Sequence, residues 1–481
     1  MKKIFFILWI LIISLIYLHT TDAFDQDLGR HLKLGEIIWQ TKEVPKTNLF
    51  SYTNPNEPVF NSHWGSQVIF YGVYNAFGVN GLILLSMIVN ASAFGILFFF
   101  ASRRVGLLIS SLLFLPIVFL LLDRIWIRPE MFGNLFYAVV LVSLFSKRVR
   151  KYLKWFFPVL AFLWINLHIT AVFGVFAMGV VLIQDLLEEL HAAKYKIQNT
   201  KYIFQNVLIV VFMFLALLFN PYGFEGVRSA FTVLNKYGYT IVENQSWLFL
   251  RDYGFPLVGH IAIGVGLLLF SYLFTITRLR RPMLGEAILL VVVTVLTFRF
   301  VRNEILFAYT VFLTAAFNLG KLVRVGKIGR LGVLGVLGAM VVSVITIVSS
   351  HTANGLPAGF GNRESYKVGV DYFLANKLEG PIYNNFDIGG YLIYRLYPGE
   401  RVFVDNRPEA YPVAFFDNIY KSMQITQSQF DTYAKEYGIK TIVWGIHDIT
   451  PWSQDFLARI TKDPNWKTVY LDDAMIILVK K

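Results

Sequence analysis

Two carboxylates, Asp25 and Asp27, stand close together in the stretch TDAFDQDLGRHLKLGEIIW (residues 21–39), directly after an apolar run at 4–20. A carboxylate beside a bilayer is partly desolvated and gains basicity, so either acid could serve as a general base. The pair could also help to hold a divalent cation, Mg²⁺ or Mn²⁺, although two acids alone are a thin ligand set. Asp27 has a structural alternative as a helix N-cap, because LGRHLKLGEIIW has the pattern of an amphipathic helix beginning there. Arg30, His31 and Glu36 follow, and His63 and Trp64 close the same polar stretch.

Other polar groups gather at the ends of later apolar runs. WINLHIT (164–170) presents Asn166 and His168, and NPYG (220–223) precedes a loop with Glu243, Asn244, Gln245, Trp247 and Arg251. FRFVRNE (298–304) supplies Arg299, Arg302 and Asn303. Singly, Arg299 or His168 reads as a snorkelling or capping group. Jointly, these residues offer a base near the bilayer and guanidinium groups able to grip a phosphate. That combination suits sugar transfer from a lipid-linked phosphate. The departing phosphate is a weak base and needs no general acid, so a carboxylate to deprotonate the acceptor and cations to hold the phosphate suffice. His31, His63 and His168 could suggest zinc, but no HExxH or comparable spacing accompanies them.

The elements that position these residues must be membrane helices. Of the 481 residues 56% are hydrophobic and only 16% charged, too few to cover a soluble protein of this length. The absence of cysteine excludes disulfides, thiolate metal sites and cysteine nucleophiles. A span needs roughly 20 apolar residues. Eleven such runs lie near 4–20, 80–101, 105–122, 131–146, 153–167, 169–185, 203–219, 256–277, 284–299, 304–320 and 329–349. Residues 66–78 are aromatic but less apolar and suit an interfacial or re-entrant helix. Glycine at every third position of GKIGRLGVLGVLG (326–338) lacks the strand and GK[ST] ending of a phosphate loop and reads as a face for close helix packing.

The net charge of +13 invites a nucleic-acid reading, but its distribution reports orientation instead. With the N-terminus inside, the inner segments hold 19 basic and 4 acidic residues, including SKRVRKYLK (146–154), Lys194, Lys196 and TRLRR (277–281). The outer loops and residues 351–481 each sum to −1, so the whole excess is cytoplasmic and no nucleic-acid partner is expected. An alternative in which residues 1–20 are a cleaved signal peptide leaves the downstream orientation unchanged.

The tail changes character. Strands are expected at 381–385, 401–405, 440–444, 467–471 and 474–479, with helices at 364–378, 412–423, 427–437 and 452–462, an α/β domain with its own core. Within it Asp387, Asp405, Asn406 and Arg407 stand out. Asp405 and Arg407 could contact a glycan or form a buried salt bridge, and the glycines of GGYLIY permit a tight strand-to-helix turn.

The pattern DQDLGRHLKLGEII…VPKTNLFSYT…FNSHWGSQVIFY, with WINLH, NPYG, the paired arginines, NNFDIGGYLIYRLYPGERVFVDNRPEAY (384–411) and WKTVYLDDAMIILVK, resembles the polytopic C-type glycosyltransferases (GT-C) over nearly the whole chain. The resemblance is to the bacterial and archaeal dolichyl-phosphate-mannose protein mannosyltransferase-like group. It implies a polyprenyl-phosphate-sugar donor, inverting transfer to an extracytoplasmic glycan, lipid or protein, and an Asp base in the first outer loop. That base is Asp27, assisted by Asp25. Arg299 and Arg302 become the phosphate grip, with His31, His63, Trp64, His168, Asn166 and Glu243 as further substrate contacts. One departure is Arg30, where the group commonly has an aromatic residue.

The expectation is therefore a polytopic α-helical membrane protein of the cell membrane, GT-C-like, with about 11 transmembrane helices and a C-terminal soluble α/β domain. Residues 1–350 form the membrane domain with a catalytic first outer loop at 21–79, and residues 351–481 form an extracytoplasmic domain. The rivals are a transporter or flippase of lipid-linked sugars and a non-catalytic cell-envelope assembly protein. The first would show matching halves and midplane ionisable residues, whereas here ionisable residues cluster at span ends.

Overall fold

A computed structural model describes residues 2–22, 25–192, 200–233, 237–276, 283–320 and 328–481, without the side chains of 25, 192, 200 and 274–276. Lys194, Lys196, the basic run at 277–281, residues 326–327 of the glycine run and the side chain of Asp25 lie outside the described residues. The chain forms two compact units. One comprises Met1–His19, Leu82–Val227 and Ile241–Gly359, the other Thr20–Gly81, Arg228–Thr240 and Phe360–Lys481.

The first unit is helical. Among the described residues each apolar run picked out above lies largely on helix, from Lys2–Leu15 through Leu107–Leu122 and Glu130–Phe145 to Arg330–Ala353. Among the described residues four helices are long and apolar enough to cross a membrane: Trp64–Val105, Ala171–His191, Lys201–Leu218 and Arg330–Ala353. Gly106, at φ 83°, stops one helix before the next begins at Leu107. Rings of Trp9, Phe94, Phe98, Phe114 and Phe312 interlock in the core, with Phe94 and Phe312 centroids 4.8 Å apart. Outward, Phe204, Phe212, Phe214 and Leu331 are exposed. Water penalises such an apolar surface, whereas hydrocarbon solvates it and the helices satisfy their own backbone groups. In the glycine run, a Cβ at Gly335 would lie 2.7 Å from Leu108, the expected close helix approach.

Two residues of the basic run 146–154 do not face solvent. Arg150 is buried and donates to Asp185 (3.0 Å), to Glu188 and to the Leu144 carbonyl (2.9 Å). Lys154, also buried, donates to Asp185 (2.8 Å) and Asn206 (3.1 Å). Burying a charge in a helical bundle is tolerated when an opposite charge and polar acceptors meet it. These two cations therefore tie three helical segments together.

Trp64–Val105 is interrupted at Gly78 (φ 63°, ψ −161°), so residues 66–78 form the first part of a longer helical stretch.

The second unit contains two sheets. Strands β1 (Thr21–Asp22) and β2 (Asn362–Arg363) pair in parallel. Strands β3 (Ile382–Asn384), β4 (Thr441–Gly445), β5 (Trp466–Leu471) and β6 (Met475–Lys480) form a sheet in the order β3-β4-β6-β5, with β3 parallel to β4 and the other pairs antiparallel. The strand expected at 401–405 is absent as a ladder. Val402 makes an isolated bridge to Ser51, while the Asn384 side chain accepts from Phe403 N (2.9 Å) and donates to the Val404 carbonyl (2.8 Å). A side-chain amide replaces a neighbouring strand, which alternation of residue types does not encode.

The first-loop helix, Asp25–Thr41, packs on the tail helix Gly389–Leu396 at backbone distance. A Cβ on Gly390 would sit 2.1 Å from the Gln26 carbonyl, and one on Gly389 would sit 2.5 Å from the Val404 carbonyl. The chain turns tightly from β3 into this helix, as GGYLIY suggested, but neither glycine has a positive φ, and both permit close approach. Gly390→Ala should lower stability by about 2–3 kcal/mol. Gly72→Ala, in the same unit with open space around it, should gain about 1 kcal/mol from helix propensity. Thermal unfolding in detergent distinguishes the two.

Candidate functional site

The helix Asp25–Thr41 forms because Leu28, Leu32, Leu34 and Ile38 bury one face while acids occupy its first turn, where the helix dipole favours them. It begins at Asp25, so Asp27 lies inside the first turn and not at the N-cap. The Asp27 side chain is 24% exposed, and its Oδ1 accepts from Arg30 Nη2 at 2.6 Å. Asn406 Nδ2 donates to the same Oδ1, also at 2.6 Å. Arg30, the residue that departs from the GT-C pattern, is thus the ion partner of the candidate base. A guanidinium at this distance opposes a divalent cation on that oxygen. Among the described residues no three His, Asp or Glu side chains gather as metal ligands. The Asp27 oxygen is thus occupied by two donors, and the other candidate ligand, the Asp25 side chain, lies outside the described residues.

One turn on, His31 is buried, with Nδ1 3.0 Å from Gln67 Nε2. Gln67 Oε1 accepts from Asn61 (2.7 Å), and the His31 and His63 rings lie 6.0 Å apart. His63 immediately precedes Trp64, the first residue of its helix. The fold therefore gathers Asp27, His31, His63 and Trp64 in one unit.

His168, Asn166, Glu243, Arg299 and Arg302 belong to the helical unit. Asn166 donates to the Phe162 and Phe219 carbonyls, both at 2.8 Å, and so joins two helix ends. His168 Nδ1 lies 2.7 Å from Thr170 Oγ1. Glu243 sits within an arginine cluster, 2.7 Å from Arg124 and in direct contact with Arg128. Burial pushes its carboxyl up, but Arg124, Arg128 and Arg302 outweigh that and hold it well below the usual carboxylate range. Arg124 also pairs with Glu130. Arg302 donates to Asn244 (2.9 Å) and Arg299 lies over the Phe300 ring. Arg124 and Arg128 are committed to carboxylates, whereas among the described residues neither Arg299 nor Arg302 forms an ion pair.

In the tail, Asp405 and Arg407 form a buried bidentate pair (2.8 and 2.7 Å), and Arg407 also donates to Asn48 (2.8 Å). The salt-bridge reading of these two residues is the one realised.

No protein-family model matches the sequence, and no curated protein sequence matches it. Solved structures do resemble it. ArnT from Cupriavidus metallidurans bound to undecaprenyl phosphate superposes with a TM-score of 0.56 at 12% identity, over 99% of this chain and 96% of that one. The oligosaccharyltransferase of Archaeoglobus fulgidus, tethered to an acceptor peptide containing the NVT sequon, gives 0.57 at 12% identity over 92% of this chain and 68% of that one. AglB from the same organism, in complex with an inhibitory peptide and a dolichol-phosphate, gives 0.53 at 12% identity over 92% and 70%. The chain has the GT-C fold.

Within this fold, sequence reasoning missed Arg124, Arg128 and Glu130. Their signal is present, since DRIWIRPE (123–130) packs two arginines and two acids between apolar runs. It also missed the surroundings of Asp387. Burial, and then the charge of Asp448, push the Asp387 carboxyl up to about 7. The folded unit thus holds a proton that the unfolded chain, with an ordinary carboxylate near 3.9, releases earlier. Its stabilising contribution is complete at acid pH and is lost as pH rises through about 7. Asp387→Asn should raise the unfolding temperature at pH 8 by several degrees and leave it nearly unchanged at pH 4, as calorimetry at the two pH values would record.

Proposed function

We propose that the protein is a membrane-bound, inverting glycosyltransferase that moves a sugar from a polyprenyl-phosphate carrier to an acceptor outside the cytoplasm. The observation carrying this reading is the part-exposed Asp27 carboxylate, held at the start of the helix that follows the first apolar helix of a GT-C fold. Asp27 deprotonates the acceptor nucleophile, which attacks the anomeric carbon as the bond to the lipid phosphate breaks. Asp25 assists. Arg299 and Arg302, which form no ion pair among the described residues, hold the phosphate that leaves with the electron pair. The undecaprenyl and dolichol phosphates of the similar structures support a lipid-phosphate donor here. The charge distribution supports eleven spans with the N-terminus cytoplasmic and the tail outside.

Protein reconstituted in liposomes with radiolabelled undecaprenyl-phosphate hexoses, and envelope membranes as acceptor source, should transfer label. Asp27→Asn should reduce turnover by about 10³-fold with the unfolding temperature kept. Wild-type turnover from a variant lacking both Asp25 and Asp27 would sink the mechanism. Because the chain has no cysteine, single replacements report sidedness cleanly. In intact cells an impermeant maleimide should label Lys435→Cys, and Lys147→Cys only after permeabilisation.

A further inference from the structure

We propose that Asn406, far along the chain in the tail, is a positioning residue for Asp27; this rests on the assignment of Asp27 as the base. The Asn406 amide meets three groups. Its Nδ2 donates to Asp27 Oδ1 and to the Gln26 carbonyl, both at 2.6 Å, while its Oδ1 accepts from Arg30 Nε at 3.1 Å. Arg30 Nη2 donates to the same Asp27 oxygen, so Asp27, Arg30 and Asn406 close a ring of hydrogen bonds.

An Asp–Arg pair three residues apart on a helix, left to itself, is worth a few tenths of a kcal/mol and leaves both side chains several rotamers. The ring removes that freedom, because a group outside the helix fixes both partners at once. Few side chains could do so. The amide presents a donor end to the carboxylate and an acceptor end to the guanidinium. A carboxylate in its place would repel Asp27, and an ammonium would have nothing to offer Arg30.

Asn406 is itself immobilised. On one side Asp405 N donates to Tyr411 Oη (2.9 Å), and on the other Arg407 N donates to Asp405 Oδ1 (3.0 Å). The buried Asp405–Arg407 pair therefore clamps both neighbours of Asn406, and the side chain-free surfaces of Gly389 and Gly390 let this loop reach the first-loop helix. A reacting group misplaced by about 1 Å costs on the order of 10²-fold in rate, so such a clamp acts on turnover and not on substrate binding.

The test measures kcat and KM for undecaprenyl-phosphate hexose, with envelope membranes as acceptor source, per folded molecule for Asn406→Ala, Asn406→Ser, Asn406→Asp and Asp27→Asn, with thermal unfolding alongside. Asn406→Ala should lower kcat about 10- to 100-fold with KM changed less than about twofold. Asn406→Ser, which keeps a donor, should recover part of kcat. Asn406→Asp, which keeps the acceptor for Arg30 but faces Asp27 with a like charge, should be as low as the Ala variant or lower. This order should hold whatever the order of unfolding temperatures, and if the Ala variant fails to fold the Ser and Asp variants decide it. With Asp27→Asn inactive, a wild-type kcat per folded molecule in the Asn406 variants, or losses that follow stability alone, overturn the positioning role and leave the proposed function standing. Wild-type turnover from Asp27→Asn overturns both.

Discussion

Carbonyl-to-glycine contact between two short helices is the constraint on which the Asp27 arrangement depends. The Gln26 carbonyl lies where a Gly390 side chain would begin, and the Gly390 carbonyl lies 2.8 Å from where a Gly29 side chain would begin. Any larger residue at these positions separates the helices by roughly the width of a methyl group. That is more than the 2.6 Å bond between Asn406 and Asp27 can follow. The first-loop helix thus carries the carboxylate, and the tail supplies the surface that sets where it points.

The helical unit obeys a different constraint, the low dielectric of its surroundings. Its buried cations are met by carboxylates in pairs and clusters: Arg150 and Lys154 by Asp185, Arg124 by Glu130 and Glu243. Unpaired, each would carry a desolvation cost of several kcal/mol. Among the described residues Arg299 and Arg302 stand outside these ion pairs.

Much of the architecture is legible in the order of residues alone. Apolar runs long enough for spans appear as helices because intrahelical hydrogen bonding is the only economical solution in hydrocarbon. The strands at 382–384, 441–445, 466–471 and 475–480 follow from β-branched alternation. RVFVD carries the same alternation and forms no ladder, because Asn384 intercepts its backbone groups. The basic run at 146–154 counts toward the inner-side charge, yet two of its members turn inward to acids some thirty residues on. In both cases a partner distant in sequence decides the outcome.

The sequence by itself determined the membrane character, the segments that become helices, the acidic first loop and the resemblance to the GT-C fold. The first three rest on local composition and periodicity, which act over a turn or a strand, and the resemblance rests on motifs spread along the chain. Only the tertiary structure decided that Asp27 is bound by Arg30 and Asn406, that Asp405 and Arg407 satisfy each other, and that Gly390 serves close packing. The Asn406–Asp27 bond and the Gly390 contact join residues hundreds of positions apart, and even the near-neighbour pairs Asp27–Arg30 and Asp405–Arg407 are chosen by the tertiary setting that buries them.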